Sequence, residues 1–163
     1  MSYAAEKIDY KNKNEFYQKL VLELGYNLDQ HWFTNLSQFS ALLFDQLPDV
    51  NWVGFYLTVN GELILGPFQG KPACMKIQFG GGVCGTAAQK RESILVDNVD
   101  EFPGHIACDS ASKSEVVIPL IQNDKVVGVL DVDSPSLKRF STEDVKGLSL
   151  LAAKLLEKTT ISV

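Results

Sequence analysis

The side chains of this 163-residue chain best suited to redox chemistry are its three cysteines, Cys74, Cys84 and Cys108. No C-x-x-C pair occurs, and the two histidines, His31 and His105, complete no zinc-binding spacing, so we expect no metal site. An odd number of cysteines argues against a structural disulfide framework. The simplest interpretation is three buried thiols, since free cysteine is commonly a small core residue. The alternative is a thiol pair that works in a disulfide cycle, which requires two nearby thiols and an acid.

A glycine-rich segment at residues 76 to 90, KIQFGGGVCGTAAQK, matches the pattern G-x-G-x-x-G at Gly80, Gly82 and Gly85. A dinucleotide site of this type requires a parallel βαβ unit, whereas here the segment lies between two predicted hairpins. A phosphate-binding P-loop would require a lysine where Thr86 stands. We therefore expect the glycines to let the backbone pass close to a ligand or to the sheet.

Cys84 lies inside this segment, where the run CGTAAQK predicts the beginning of a short helix. The free amide groups of a helix N-terminus stabilise a thiolate. The sequence therefore predicts a lowered pKa for the Cys84 thiol.

Three carboxyl groups lie in the second half of the chain, and their spacing bears on whether they meet. Asp131 and Asp133 alternate onto one face of a predicted strand. Glu115 shares that face only if the hairpin between them has an odd loop or a β-bulge, because a two-residue Asn123–Asp124 turn alone would separate them. The alternatives are a solvated polar sheet face and an acidic cluster, in which crowding raises a carboxyl pKa.

Three helices are predicted from apolar residues at helical spacing, over residues 13–24, 29–46 and 141–158. Pro48 ends the second helix, and Ser141 is placed to cap the third. All three are expected to pack one apolar stripe against a core.

Two hairpins are predicted, one around Asn60–Gly61 and one around Asn123–Asp124, with a short strand at residues 93–97 between them. Trp52 and Tyr56 are four residues apart in the first hairpin and should share one face of their strand. Residues 98–115 lack periodicity, and a long irregular loop in a compact domain is commonly functional. This order of elements predicts an α+β fold, an antiparallel sheet with helices on its faces, formed as one domain over residues 1–163.

Composition excludes several classes of function. The net charge is −5 and the pI is about 5.0, so no basic surface for nucleic acid is expected. No apolar run is long enough to span a membrane, and the polar N-terminal segment lacks a signal-peptide core. We therefore expect a cytoplasmic protein.

Four segments together resemble the free methionine-R-sulfoxide reductases, which are stand-alone GAF domains. The segments are NWVGFYL, GPFQGKPACMKIQFGGGVCGTAAQ, DNVDEFPGHIACDSASKSEVVIPL and GVLDVDSP, and they span about Asn51 to Pro135. All three cysteines fall at the family's spacing. The resemblance implies that Cys108 attacks the sulfoxide sulfur and that Cys74 resolves the resulting sulfenic acid as a disulfide. It also implies a possible second resolving role for Cys84.

The resemblance further implies a substrate site made of acidic and aromatic side chains. Glu115, Asp131 and Asp133 would hold the substrate ammonium group and supply a proton, while Trp52 and Tyr56 would line the space for the S-methyl end. It implies no bound cofactor, an external thioredoxin-type dithiol as reductant, a part in the response to oxidative stress, and a homodimer.

Two other classes of function remain open from the sequence. A GAF domain of this kind can also be a non-catalytic sensor that binds a small molecule, because a fold does not fix a function. A cysteine hydrolase is a third possibility, because His105 lies three residues before Cys108 and could act as its base.

Overall fold

The computed structural model describes residues 6–106 and 110–162. Four helices and six strands follow one another within these residues. The helices are α1 (Lys13–Tyr26), α2 (Trp32–Gln46), α3 (Gly82–Lys90) and α4 (Thr142–Lys158). The strands are β1 (Trp52–Val59), β2 (Glu62–Gly70), β3 (Lys76–Gln78), β4 (Ile94–Val96), β5 (Ser114–Gln122) and β6 (Lys125–Ser134), with a 3-10 turn at Val99–Glu101.

All six strands form one antiparallel sheet in the order β3-β2-β1-β6-β5-β4. The α+β prediction is therefore confirmed, including both hairpins and the three long helices. The short strand β3 was missed because its three residues carry too little alternation to be separated from the glycine-rich segment that follows.

Residues that tolerate a left-handed backbone close both hairpins. Asn60 and Gly61 have φ of 50° and 82°, and Asn123 and Asp124 have φ of 48° and 61°. Positive φ at both central residues is the requirement of a two-residue hairpin turn whose twist matches that of the strands. These four residues thus explain why β1 pairs with β2 and β5 with β6.

The two faces of the sheet carry different layers. One face packs against α1, α2 and α4 around a core that includes Phe39, Phe55 and Leu130, all with no exposed surface. The opposite face is covered over part of its area by the short helix α3, with a second apolar cluster that includes Val117 and Val129. Because the three long helices all pack on the first face, the second face has room for a pocket beside α3.

Asp144 joins α1 to the beginning of α4. Its carboxylate accepts hydrogen bonds from the Tyr17 hydroxyl at 2.9 Å and from the backbone N–H of Ser141 at 2.7 Å. The predicted cap at Ser141 is confirmed, in the form of a capping box with Asp144. No helix in the described part of the chain combines the length and apolar character needed to cross a bilayer.

Candidate active site

A pocket lies on the sheet face that carries α3, between that helix and strands β1, β5 and β6. It contains about 520 Å³ of space free of protein atoms, part of which is open to solvent. Six of the residues predicted from the sequence line it: Trp52, Tyr56, Cys84, Glu115, Asp131 and Asp133. Side chains from four separate elements therefore converge on one cavity.

A β-bulge brings the three carboxyl groups onto the same face. The Asn123–Asp124 turn has two residues, but the pairing shifts by one between Leu120 and Ile121, so that Val127 is left without a cross-strand partner. Beyond the bulge Glu115 pairs with Asp133. The sequence analysis required an odd loop or a β-bulge for Glu115 to share a face with Asp131 and Asp133, and the structure has the bulge. Without it, Glu115 would lie on the opposite face of the sheet.

An aromatic wall forms one side of the pocket. The Trp52 ring stacks on Tyr56 at a centroid distance of 6.0 Å and on Phe68 at 5.3 Å. Gly54 makes this possible, because a Cβ there would lie 2.7 Å from the Trp52 ring. The Tyr56 hydroxyl donates a hydrogen bond to the Cys74 carbonyl oxygen at 3.0 Å, which fixes the ring and the segment that contains Cys74.

The carboxyl groups at the pocket floor are buried beside one another. Glu115 and Asp131 are each only 6% exposed. Burial raises the pKa of Glu115 well above its usual range, and the neighbouring charges of Asp131 and Asp133 raise it further. Burial likewise raises the pKa of Asp131 to about 7. A carboxyl group that stays protonated near neutral pH can donate a proton, which an ordinary surface carboxylate cannot do.

The prediction of a lowered pKa for the Cys84 thiol was wrong. The cysteine is the third residue of α3, as expected, but its thiol is buried, and Sγ lies 3.9 Å from Oε1 of Glu115. Burial raises the pKa of the Cys84 thiol, and the carboxyl groups of Asp131 and Glu115 raise it further. Desolvation and nearby negative charge outweigh the helix N-terminus, so the thiol form is favoured.

The glycine-rich segment packs against the sheet. A Cβ on Gly85 would lie 2.1 Å from the backbone oxygen of Gln78, so only glycine fits beside the end of β3. Gly80 and Gly82 have φ of 85° and 58°, in the left-handed region. The sequence left open whether the glycines let the backbone approach a ligand or the sheet. Close approach to the sheet accounts for Gly85, while Gly82 lines the pocket.

Of the other two cysteines, Cys74 and Cys108, only Cys74 lies within the described residues. Cys74 is half-buried, and its sulfur is in a disulfide, while Cys84 is a free thiol. Cys108, for which the resemblance implies the attacking role, lies outside the described residues. The roles of all three thiols therefore stay predictions.

Several lining residues were not predicted from the sequence. They are mostly small or apolar residues from loops and from the beginning of α3: Pro72, Ala73, Ile77, Gly81, Val83, Ile106 and Ser112. His105, named above only as a possible base, also lines the pocket. Ser112 accepts a hydrogen bond from Asn51 Nδ2 at 3.0 Å, which ties the long loop to the beginning of β1. Loop residues carry no periodic signal, and of these lining residues only His105, Ile106 and Ser112 lie in the irregular segment whose length indicated a function.

Replacement of Asp131 by asparagine should stabilise the protein at alkaline pH. Because the pKa of Asp131 is raised to about 7, between about pH 4 and pH 7 the folded state keeps a proton that the unfolded state has already released. The free energy of unfolding therefore falls as pH rises through this window. At pH 8 the ionised group is a cost, and its removal should raise stability by about 1–3 kcal/mol, or Tm by roughly 3–9 °C. Thermal unfolding at pH 5 and pH 8 measures this effect. The exposed Asp97→Asn is the matched control, and an Asp131→Asn protein with native Tm at pH 8 would contradict the prediction.

Comparison with known proteins identifies the family. A family model described as GAF domain matches residues 34–155. The free methionine-R-sulfoxide reductase of Escherichia coli K12 is 46% identical over 88% of this chain and 88% of its own length. The protein of the same name from Saccharomyces cerevisiae is 45% identical over 96% of this chain and 94% of its own length.

A solved structure agrees at the level of the fold. The Neisseria meningitidis free methionine-R-sulfoxide reductase, solved in complex with its substrate, superposes with a TM-score of 0.90. It is 37% identical and is matched over 96% of this chain and 95% of its own. The chain therefore belongs to the free methionine-R-sulfoxide reductase family of GAF-domain proteins.

Proposed function

We propose that this chain reduces free L-methionine-(R)-S-oxide to L-methionine with its own thiols and is recycled by a thioredoxin-type dithiol. The observation that carries the proposal is the buried carboxyl pair of Glu115 and Asp131, whose pKa values burial raises, beside the aromatic wall of Trp52 and Tyr56. Relatives at 45–46% identity over most of the chain carry the name of this activity.

The first chemical step is attack by the Cys108 thiolate on the sulfoxide sulfur. The sulfur–oxygen bond must break, so the oxygen needs a proton as it leaves the substrate sulfur. The protonated oxygen then moves to the Cys108 sulfur as the sulfur–sulfur bond formed in the attack breaks, so that Cys108 becomes a sulfenic acid and the substrate sulfur leaves as the thioether of methionine.

The second step regenerates the enzyme. The Cys74 thiol condenses with the Cys108 sulfenic acid, which forms a disulfide and releases water. Two thiol–disulfide exchanges with an external dithiol then return both cysteines to the reduced state. The disulfide at the Cys74 sulfur supports the choice of Cys74 for this role. A cycle of this kind requires a reducing compartment, so we place the protein in the cytoplasm, and the homodimer implied by the resemblance stays a prediction.

The charges of the pocket suit a free amino acid. A substrate ammonium group would lie beside Asp131 and Asp133 and stabilise their ionised forms, whereas a peptide amide carries no charge and would leave a buried carboxylate without a partner. The apolar wall gives the S-methyl end aromatic contact, to which sulfur groups are attracted. Glu115, with its strongly raised pKa, is then the group that protonates the sulfoxide oxygen.

A thiol count separates this enzyme from a non-catalytic sensor. The reduced chain has three thiols. Addition of free methionine-R-sulfoxide without a reductant should lower the number of titratable thiols in unfolded protein from three to one, because two cysteines enter the disulfide. The S epimer is the control and should leave all three thiols. A chain that binds the R epimer and keeps three thiols would be a sensor, and the proposal would be wrong.

A further inference from the structure

The floor of the pocket brings together three donor atoms of a type that binds metal ions. Cys84 comes from α3, Glu115 from β5 and Asp131 from β6, and all three residues are buried. One donor atom of each, the Cys84 Sγ and a carboxylate oxygen of the other two, lies within 4.8 Å of the others. The sequence placed these residues in one site, but it could not predict that their donor atoms lie within reach of one ion, because spacing along the chain detects only ligands that are close in sequence.

Asp131 provides an independent sign that the cluster takes a ligand. Its side chain is 6% exposed and is hydrogen-bonded to Cys84 and Glu115, but its Oδ1 atom is buried without a hydrogen-bond donor among the described residues. The residue lines the pocket, so this oxygen belongs to a group placed at the cavity. A buried polar atom without a partner has a free-energy cost that a bound cation would remove.

We propose that Cys84, Glu115 and Asp131 form a Zn²⁺ site at the floor of the substrate pocket. A soft thiolate with two carboxylates suits Zn²⁺, whereas Mg²⁺ and Ca²⁺ take oxygen ligands only. Ion-to-donor distances of about 2.3 Å for sulfur and about 2.1 Å for oxygen place two donors of one tetrahedral ion about 3.6 Å apart. The 3.9 Å between Cys84 Sγ and Glu115 Oε1 is slightly longer than this spacing, so rotation of the carboxyl groups must draw the three donors, now within 4.8 Å of one another, onto the ion.

The site has three protein ligands and leaves a position that faces the pocket. The three ionised ligands carry a charge of −3, which the +2 charge of the ion offsets where no basic residue lines the described pocket other than His105. Under the proposed function, Glu115 and Asp131 also serve the substrate. Metal and substrate would then exclude each other, so Zn²⁺ would be a competitive inhibitor of this enzyme. The competition rests on the proposed function, but the metal site itself does not.

Cobalt titration tests the site without any measurement of activity. The full chain carrying Cys74→Ser and Cys108→Ser keeps Cys84 as its one cysteine. We expect one Co²⁺ per chain, with the near-ultraviolet thiolate-to-cobalt absorption and the strong visible bands of a tetrahedral site, and Zn²⁺ should displace the cobalt. Absence of the thiolate band in this folded protein would overturn the proposal.

Two further variants locate the ion. Glu115→Gln in the same background keeps the thiol and should weaken Co²⁺ binding at least tenfold, whereas the exposed His31→Ala should leave binding unchanged. An unchanged dissociation constant in folded Glu115→Gln would overturn the proposal. Addition of free methionine should raise the apparent dissociation constant for Co²⁺; if it does not while the three-to-one thiol loss is observed, the ion lies outside the substrate site and the proposal is wrong.

Discussion

Replacement of Cys108 by serine is expected to abolish the release of methionine in a single turnover. A serine hydroxyl does not ionise near neutral pH and cannot displace oxygen from the sulfoxide, so no methionine should form even with enzyme in excess over substrate. The loss should reach the detection limit, at least about 10³-fold, which is typical when a nucleophile is removed. Rapid-quench measurement of methionine per chain gives the result.

The matched variants are Cys74→Ser and Cys84→Ser. Cys74→Ser should release about one methionine per chain and then stop, because the sulfenic acid forms before the resolving thiol acts. Cys84→Ser should also keep the first turnover, since the Cys84 thiol is buried and its pKa is raised. A first turnover retained in Cys108→Ser would show that the assignment of the attacking thiol is wrong, and its loss in folded Cys84→Ser as well would move the attacking role to Cys84.

Replacement of Glu115 by glutamine should lower kcat by about 10²–10⁴-fold, the range expected for a lost general acid. The amide keeps the size of the side chain but has no proton of suitable pKa for the sulfoxide oxygen. Circular dichroism and the binding of methionine verify that the variant is folded and that its pocket is intact.

Asp133→Asn is the contrasting variant. An ammonium partner holds substrate and transition state about equally, so this change should raise KM with little effect on kcat. Steady-state kinetics for the two variants separate proton transfer from binding. If folded Glu115→Gln keeps a near-native kcat, another group supplies the proton and the assignment of Glu115 is wrong.

The parts of the fold that follow local rules could be predicted from the sequence. Asn60–Gly61 and Asn123–Asp124 mark the hairpins because few residues accept the positive φ of such turns. Apolar residues at helical spacing, such as Phe39 in α2, identify the faces that α1, α2 and α4 bury. The three-residue strand β3 was missed, since three residues carry too little alternation to be recognised as a strand.

The sequence could predict which residues form the candidate site, but it could not predict the pKa values of the buried groups in it. The need for a bulge was predictable from parity, but its position at Val127 was not, since any residue of either strand could supply it. Cys84 shows the same limit: its place at a helix N-terminus was read correctly, but the direction of its pKa depends on Glu115 and Asp131, which only the folded chain brings beside it. Charge states of buried groups are properties of tertiary structure.

The most direct test of the central claim is a reduction assay with four substrates: the separated R and S epimers of methionine sulfoxide, each as the free amino acid and within a short peptide. A regenerating dithiol is supplied, and methionine formation is measured. We predict turnover of the free R epimer, with the free S epimer and both peptide forms at least about 10²-fold lower in kcat/KM, because the buried carboxyl groups require a free ammonium group. Comparable rates on peptide-bound methionine-R-sulfoxide, or no turnover of the free R epimer by reduced enzyme, would contradict the account.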